Sequence, residues 1–303
     1  MSFNKLFLVP CRFYHFLFVI SQSNTKTMAL FSMKRYVIFL LFLFAALCVS
    51  AQMVKREGEF KAVRNAVPGG YNFWLYIPEE YEDGSHPLPL VIFLHGASLC
   101  GNNLNKVRRY GVLDAIDKGK IIPTLVVAPQ NPGKAWSPEK LNDLLEWTKQ
   151  NYAVDTTRVY VLGMSLGGYG TMDFVGTYPE KIAAAIALCG GCSLKDVSGL
   201  GKLPLWIMHG TADRAVSVRN SQVVVEQLQQ QGNDQLLRYD WLKGGSHGIL
   251  ARLFYMQKTY DWLFSHSLDD NPRKVDTHFD ITREDIEQTY QDLKLLPNMY
   301  DND

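Results

Sequence analysis

No charge of either sign dominates this chain: 31 lysines and arginines stand against 30 aspartates and glutamates in 303 residues. That balance offers no field to a polyanion such as nucleic acid, or to an acidic membrane surface. Cysteine is scarce as well. Five occur, and Cys11 and Cys48 lie near the start, which leaves Cys100, Cys189 and Cys192 for the body. An odd set of three excludes a disulfide framework. Cys189-Gly190-Gly191-Cys192 superficially resembles a redox or zinc pair. It has no second pair and no histidine at ligand spacing, and it ends an apolar run, so it reads as small residues at a strand end with at most one local disulfide. Internal repeats are missing, as are Gly/Ser-rich or Pro-rich linkers within the body. A Gly-x-Gly-x-x-Gly after the first parallel-type strand is missing too; His95-Gly96-Ala97-Ser98 stands there instead and argues against a dinucleotide-binding protein.

Long apolar runs are confined to the start. Met33-Lys34-Arg35 precedes an almost wholly apolar run at 36–49, followed by Ser50-Ala51-Gln52. A basic segment, an apolar segment short for a bilayer span, and small residues at Val49 and Ala51 are the three parts of a secretory signal. Residues 1–51 are therefore expected to be a leader, with translation starting at Met33, residues 1–32 upstream of the true start, and cleavage near Ala51. A signal anchor that stays in the membrane is the alternative; lipid attachment at Cys48 is disfavoured by the bulky Leu47 before it. The expectation is export to the periplasm or the exterior, with no stable membrane insertion after cleavage.

From residue 59 onward short strand-like runs alternate with helix-like stretches. Strands are expected at 59–67, 71–77, 87–94, 124–128, 158–162, 183–188, 205–208 and 235–242, with Pro68-Gly69-Gly70 as a hairpin turn between the first two. Helices are expected at 112–118, 139–150, 166–177, 218–231 and 248–264. Continuous apolar strands separated by helices mean a mostly parallel sheet covered on both faces, here with an antiparallel N-terminal edge. One α/β domain at 52–266 accounts for all of this. A charged extension at 267–303 follows, in which Thr282-Arg283-Glu284-Asp285 looks like a helix start. Ile286, Tyr290 and Leu293 share a face there, as in a strap packed on the body.

Chemistry gathers at the strand ends. The run at 159–162 leads into Gly163-Met164-Ser165-Leu166-Gly167, a nucleophile elbow in which a serine sits at the apex between strand and helix. In an open parallel sheet the functional groups lie beyond the carboxyl ends of the strands. Those ends supply, in order, His95-Gly96-Ala97-Ser98, Gln130-Asn131, Ser165, Gly190-Gly191, Asp213 and His247. A serine hydroxyl is a poor nucleophile without an adjacent base, and an imidazole supplies one near neutral pH. His95 and His209 also close strands, where a turn-stabilising hydrogen bond is the expected task; His86 and His266 look like surface residues.

Four stretches together carry a resemblance: Leu94-His95-Gly96-Ala97, Gly163-Met164-Ser165-Leu166-Gly167-Gly168, His209-Gly210-Thr211-Ala212-Asp213 and Gly244-Gly245-Ser246-His247-Gly248. Over residues 59–266 the chain resembles the α/β-hydrolase superfamily, in its compact group of dienelactone-hydrolase-like, carboxylesterase/phospholipase-like and feruloyl-esterase-like serine esterases. The resemblance implies Ser165 as nucleophile, His247 as base and Asp213 as the acid that orients it, in the order this architecture uses. It implies an oxyanion hole from the backbone N–H groups of Leu166 and Ala97, although Ala97-Ser98 replaces the longer glycine run of some lipase-like relatives. Hydrolysis would pass through an acyl-Ser165 intermediate, with no metal and no organic cofactor.

The span from Cys192 to Lys202 is too short for a large lid domain, so an open cleft is expected, walled by Trp136 beyond a strand end. An open cleft and export suit small-molecule esters or acyl groups on carbohydrates, with no nucleic acid as partner. Two alternatives stay open: a serine peptidase of the prolyl-oligopeptidase-like type, and a non-catalytic binding module on the same fold.

Overall fold

The computed structural model describes residues 58–81, 84, 86–277, 281–291 and 293. The expected leader at 1–51 lies outside the described residues. Eight strands form one sheet: β1 (Glu59–Val63), β2 (Phe73–Ile77), β3 (Leu88–Leu94), β4 (Leu125–Pro129), β5 (Val154–Met164), β6 (Ala184–Leu188), β7 (Leu205–Gly210) and β8 (Leu237–Leu242). Their spatial order is β1-β2-β4-β3-β5-β6-β7-β8. β1 and β2 pair antiparallel, β2 meets β4 antiparallel, and every other pairing is parallel. Residues 189–204, between β6 and β7, hold one short helical turn at Ser198–Lys202 and no inserted domain.

Alternation along the strands divides the core in two, because successive side chains point to opposite faces. Leu90, Ile92, Leu94, Leu125, Val127, Val159 and Val161 join one cluster; Val91, Phe93, Val126, Ala128, Tyr160, Leu162 and Met164 join the other. The first is covered by α2 (Pro138–Asn151), α3 (Leu166–Thr177) and α4 (Arg219–Gln230). The second is covered by α1 (Val112–Asp117), a helical turn at Gly248–Tyr255, α5 (Gln257–Phe264) and α6 (Arg283–Glu287). Both faces of the sheet are thus apolar, and that is why its strands read as continuous runs.

Local signals fix several ends. Ser137 accepts a hydrogen bond from Lys140 N–H, and Pro138 opens α2, satisfying an amide that the helix leaves orphaned. A capping box between Thr282 and Asp285 starts α6, whose Ile286 is fully buried. Residues 248–264, expected as one helix, are two elements instead. Met256 adopts an extended conformation (φ −83°, ψ 133°) between the turn and α5. The Tyr260 hydroxyl donates to the Phe254 carbonyl and so satisfies a group left over at the break. Among the described residues no helix is long and apolar enough to cross a membrane.

Candidate active site

Ser165 sits where β5 stops and α3 begins, with φ 60° and ψ −121°. A non-glycine residue at positive φ costs of order 1–3 kcal/mol and persists only where its surroundings impose it. Here Ser165 N–H donates to the Leu188 carbonyl on the adjacent strand end (2.8 Å), and the Ser165 carbonyl accepts from Tyr169 N–H (3.0 Å) as the first turn of α3. Gly163 and Gly167 allow the crowding. A Cβ at Gly163 would stand 2.7 Å from the Leu94 carbonyl oxygen, and one at Gly167 would overlap the same atom. The serine apex exists because strand β3 presses on both sides of the turn.

The loop after β3 lies against this apex. A Cβ built on Gly96 would touch the Ser165 Cβ at 3.4 Å, which places residues 96 and 97 beside the nucleophile position. Three contacts hold the loop. Gly96 N–H donates to the Tyr110 hydroxyl (2.8 Å), and Asn131 N–H donates to His95 Nε2 (3.0 Å). With Nε2 accepting, His95 Nδ1–H donates to the Gly96 carbonyl (2.7 Å). Burial lowers the His95 pKa to about 4, so the ring is a neutral strut. Ala97 opens the helical turn Ala97–Leu99, and Leu166 opens α3. The first N–H groups of a helical turn have no carbonyl behind them to bond, and they point outward as donors.

Asp213 and His247 are in direct contact. His247 Nδ1 lies 2.6 Å from Asp213 Oδ2, with the carboxylate fully covered and the imidazole 25% exposed. Asp213 Oδ1 accepts from Ala215 N–H (2.8 Å) and Val216 N–H (2.9 Å). Burial alone would raise the Asp213 pKa. The Val216 amide, the His247 ring and the Ala215 amide outweigh it and hold the carboxyl below its usual range. Ser165 and His247 each contact the end of β6. Ser165 bonds Leu188, and the next side chain, Cys189 Sγ, lies 3.9 Å from the His247 carbonyl oxygen. All three expected residues therefore gather over the ends of β5, β6 and β7.

Cys189, Asp213 and His247 present ligand-type atoms within 4.8 Å of one another, the kind of set a metal ion can use. Asp213 and His247 are close because they share a hydrogen bond, Cys189 directly follows β6 beside them, and burial raises the Cys189 thiol well above its ordinary value, which keeps it protonated. Cys189, Cys192 and Cys100 are all free, so the local disulfide allowed by the sequence is not formed.

Two expectations are corrected. Trp136 is 3% exposed and does not wall an open cleft. Its indole packs edge-on against Tyr71 (5.2 Å) and the His95 ring (5.1 Å), in the slot left by Gly170 on α3, and so supports the 95–97 loop from within. His266 is 5% exposed rather than a surface residue; it packs on Trp262 at 4.7 Å. Asn131, named in the sequence as a strand end, holds the loop through His95, and Tyr110, which no sequence signal marked, holds it through Gly96.

The strand order and the elbow define the class: this is an α/β-hydrolase fold, and its neighbours are esterases and serine hydrolases. No family model matches the chain. Acetylxylan esterase A of Aspergillus ficuum is 25% identical over 171 residues, covering 50% of this chain and 54% of that protein. Poly(3-hydroxyalkanoate) depolymerase C of Paucimonas lemoignei is 28% identical over 158 residues, covering 42% of this chain and 34% of that protein. The chain thus spans about half or less of the length of these curated relatives. A solved thermostable esterase superposes with a TM-score of 0.57 at 26% identity, over 71% of this chain and 64% of the other. The chain has the α/β-hydrolase fold, and the relatives and the solved structure it is similar to include esterases.

Proposed function

We propose that the chain is a serine hydrolase of carboxylic esters, with Ser165 as nucleophile, His247 as general base and Asp213 as its orienting acid. The observation that carries this reading is the strained serine at the head of α3 beside a hydrogen-bonded His247–Asp213 pair. Asp213 accepts Nδ1–H and thereby leaves the Nε2 lone pair for the Ser165 hydroxyl proton. Ser165 Oγ attacks the ester carbonyl carbon, and the oxygen that becomes negative is met by the N–H groups of Leu166 and Ala97. Collapse expels the alcohol, which takes the proton from His247. Water then attacks the acyl-Ser165 by the same route and releases the acid.

Acyl groups on carbohydrates are the proposed substrate class. Support comes from relatives named acetylxylan esterases and from the absence of an inserted domain between β6 and β7. Export by the leader, to the periplasm or beyond, would bring the enzyme to such polymers; N-terminal sequencing of the exported protein checks for a start near Gln52.

The decisive experiment uses a fluorescent fluorophosphonate with the wild type and Ser165→Ala, alongside p-nitrophenyl acetate, acetylated xylo-oligosaccharides and an aminoacyl anilide. The expected result is labelling and acetate release by the wild type alone, with Ser165→Ala losing on the order of 10⁴-fold or more in rate. A folded wild type that takes no label would make the chain a binding module. Anilide cleavage outrunning ester cleavage would make it a peptidase.

A further inference from the structure

His209, on β7, is fully buried beneath the acid, and its ring is engaged at both nitrogens. Nε2 lies 3.0 Å from the Val216 carbonyl oxygen and 3.2 Å from Asp213 Oδ2. A carbonyl and a carboxylate only accept, so Nε2 carries a hydrogen. Nδ1 lies 2.7 Å from the Ser221 hydroxyl on α4, and that hydroxyl lies 2.7 Å from the Gly190 carbonyl. A hydroxyl has one proton to give. Giving it to Gly190 would require Nδ1 to carry its own, an imidazolium that burial disfavours. Ser221 O–H therefore donates to Nδ1, and the neutral Nε2–H tautomer is the one that fits.

His247 Nδ1 thus meets Asp213 Oδ2 at 2.6 Å, and His209 Nε2–H, which bonds the Val216 carbonyl, lies 3.2 Å from the same oxygen, while the other oxygen holds two backbone amides. We propose that His209, locked as its Nε2–H tautomer by Ser221, is a positioning residue that fixes the Asp213 carboxylate and disperses part of its charge away from His247. The proposal rests on the serine-hydrolase reading for its kinetic consequence, and on geometry together with burial of the ring for the tautomer. The titratable groups around Asp213 are His247, His209 and the protonated Cys189 thiol. With His209 removed, Asp213 loses a nearby N–H dipole and its charge concentrates on the bond to His247. The imidazolium is then over-stabilised, and the base becomes free only at higher pH.

Wild type, His209→Leu, His209→Gln and Ser221→Ala are compared by ¹⁵N NMR of histidine and by pH–rate profiles on one ester. The expected spectrum shows a neutral His209 with the proton on Nε2 across about pH 6 to 8. His209→Leu should lose roughly 10- to 100-fold in kcat with KM within about twofold, as when the outer partner of a ligand imidazole is removed. Its acid limb should move up by roughly half a pH unit. His209→Gln, whose amide can donate toward Asp213 and accept from Ser221, should recover much of both. Ser221→Ala should fall between and show a mixed tautomer. Folded His209→Leu with kcat within about twofold and an unmoved limb overturns the proposal. If that variant does not fold, Ser221→Ala with unchanged tautomer and kcat overturns it, as does a neutral Nδ1–H ring in the wild type. The NMR arm needs no turnover, so an inactive wild type with the Nε2–H tautomer refutes the hydrolase reading and leaves the hydrogen-bonded positioning of Asp213 standing.

Discussion

Asp213 differs from the other acidic residues near the sheet by the number of donors that meet it rather than by its place in the sequence. Two amides and His247 hold its carboxylate, whereas Asp196 is exposed and turns back on Ser198, and Asp240 is taken up by Trp206 Nε1 (2.6 Å) and Arg238 Nε (2.8 Å). Asp213→Asn should therefore cost roughly 10³- to 10⁴-fold in rate near neutral pH, about 4–5.5 kcal/mol in the barrier. Asp196→Asn and Asp240→Asn should leave the rate within a few-fold, and Asp240→Asn should show its effect in stability instead. Purified variants assayed on one ester decide this; equal losses in all three would remove Asp213 from its role. Burial also sets an acid limit on the fold. His95 and His266 are both lowered to about 4 in the folded chain, against about 6.5 for a free histidine. Between those values the unfolded chain binds more protons, so stability falls as pH drops from about 6.5 toward 4. Melting temperatures across that range should decline, and His266→Phe should flatten the slope; a parallel slope in the variant would assign the loss to other groups. The places of Ser165, Asp213 and His247 beyond strand ends were readable in the sequence because each follows an apolar, strand-like run. The burial of Trp136 and His266 was not, since it depends on partners such as Tyr71 and Trp262 that only the tertiary fold brings near.

At the scale of elements, the elbow was legible and the stretch after His247 was not. Gly163 and Gly167 announce a close approach that any folded version of β5–turn–α3 must make. Residues 248–264 carry an apolar pattern that suits a helix, but Leu250, Ala251, Leu253, Phe254 and Tyr255 of the turn Gly248–Tyr255 are buried, and the break at Met256 answers to packing rather than to a local breaker. The C-terminal extension explains part of that packing. Ile286 on α6 is buried in the core, Arg252 donates to the Glu287 carbonyl (3.0 Å) and lies over the Tyr290 ring, and Tyr290 meets Tyr255 edge-on at 5.3 Å. The strap thus grips the turn that begins one residue after His247. Ile286→Ala should destabilise by about 2–5 kcal/mol, the usual range for a buried isoleucine truncated to alanine. Denaturant titration measures it; a loss below about 1 kcal/mol would mean the extension only rests on the surface.

At the scale of the whole molecule, alternating hydropathy told of a two-faced sheet, and the leading hairpin told of its antiparallel edge. Neither gave the spatial order, in which β3 lies inside β4 and each half of the site falls on different strands. Ser165 rises from β5, which is paired on both sides by β3 and β6. His247 follows the end of β8, one of the two edge strands, which among the described residues is paired with β7 alone. Proteins open in parts, and an edge strand opens at less cost than the centre of its sheet. Warming should therefore detach His247 from a Ser165 that is still in place, and the proposed esterase activity should fade at a lower temperature than the far-ultraviolet circular dichroism. Coincident profiles would mean that β8 leaves only with the rest of the sheet. If they part, the failure of this protein on heating begins as a loss of registry between two halves of one site, well before it becomes a loss of structure.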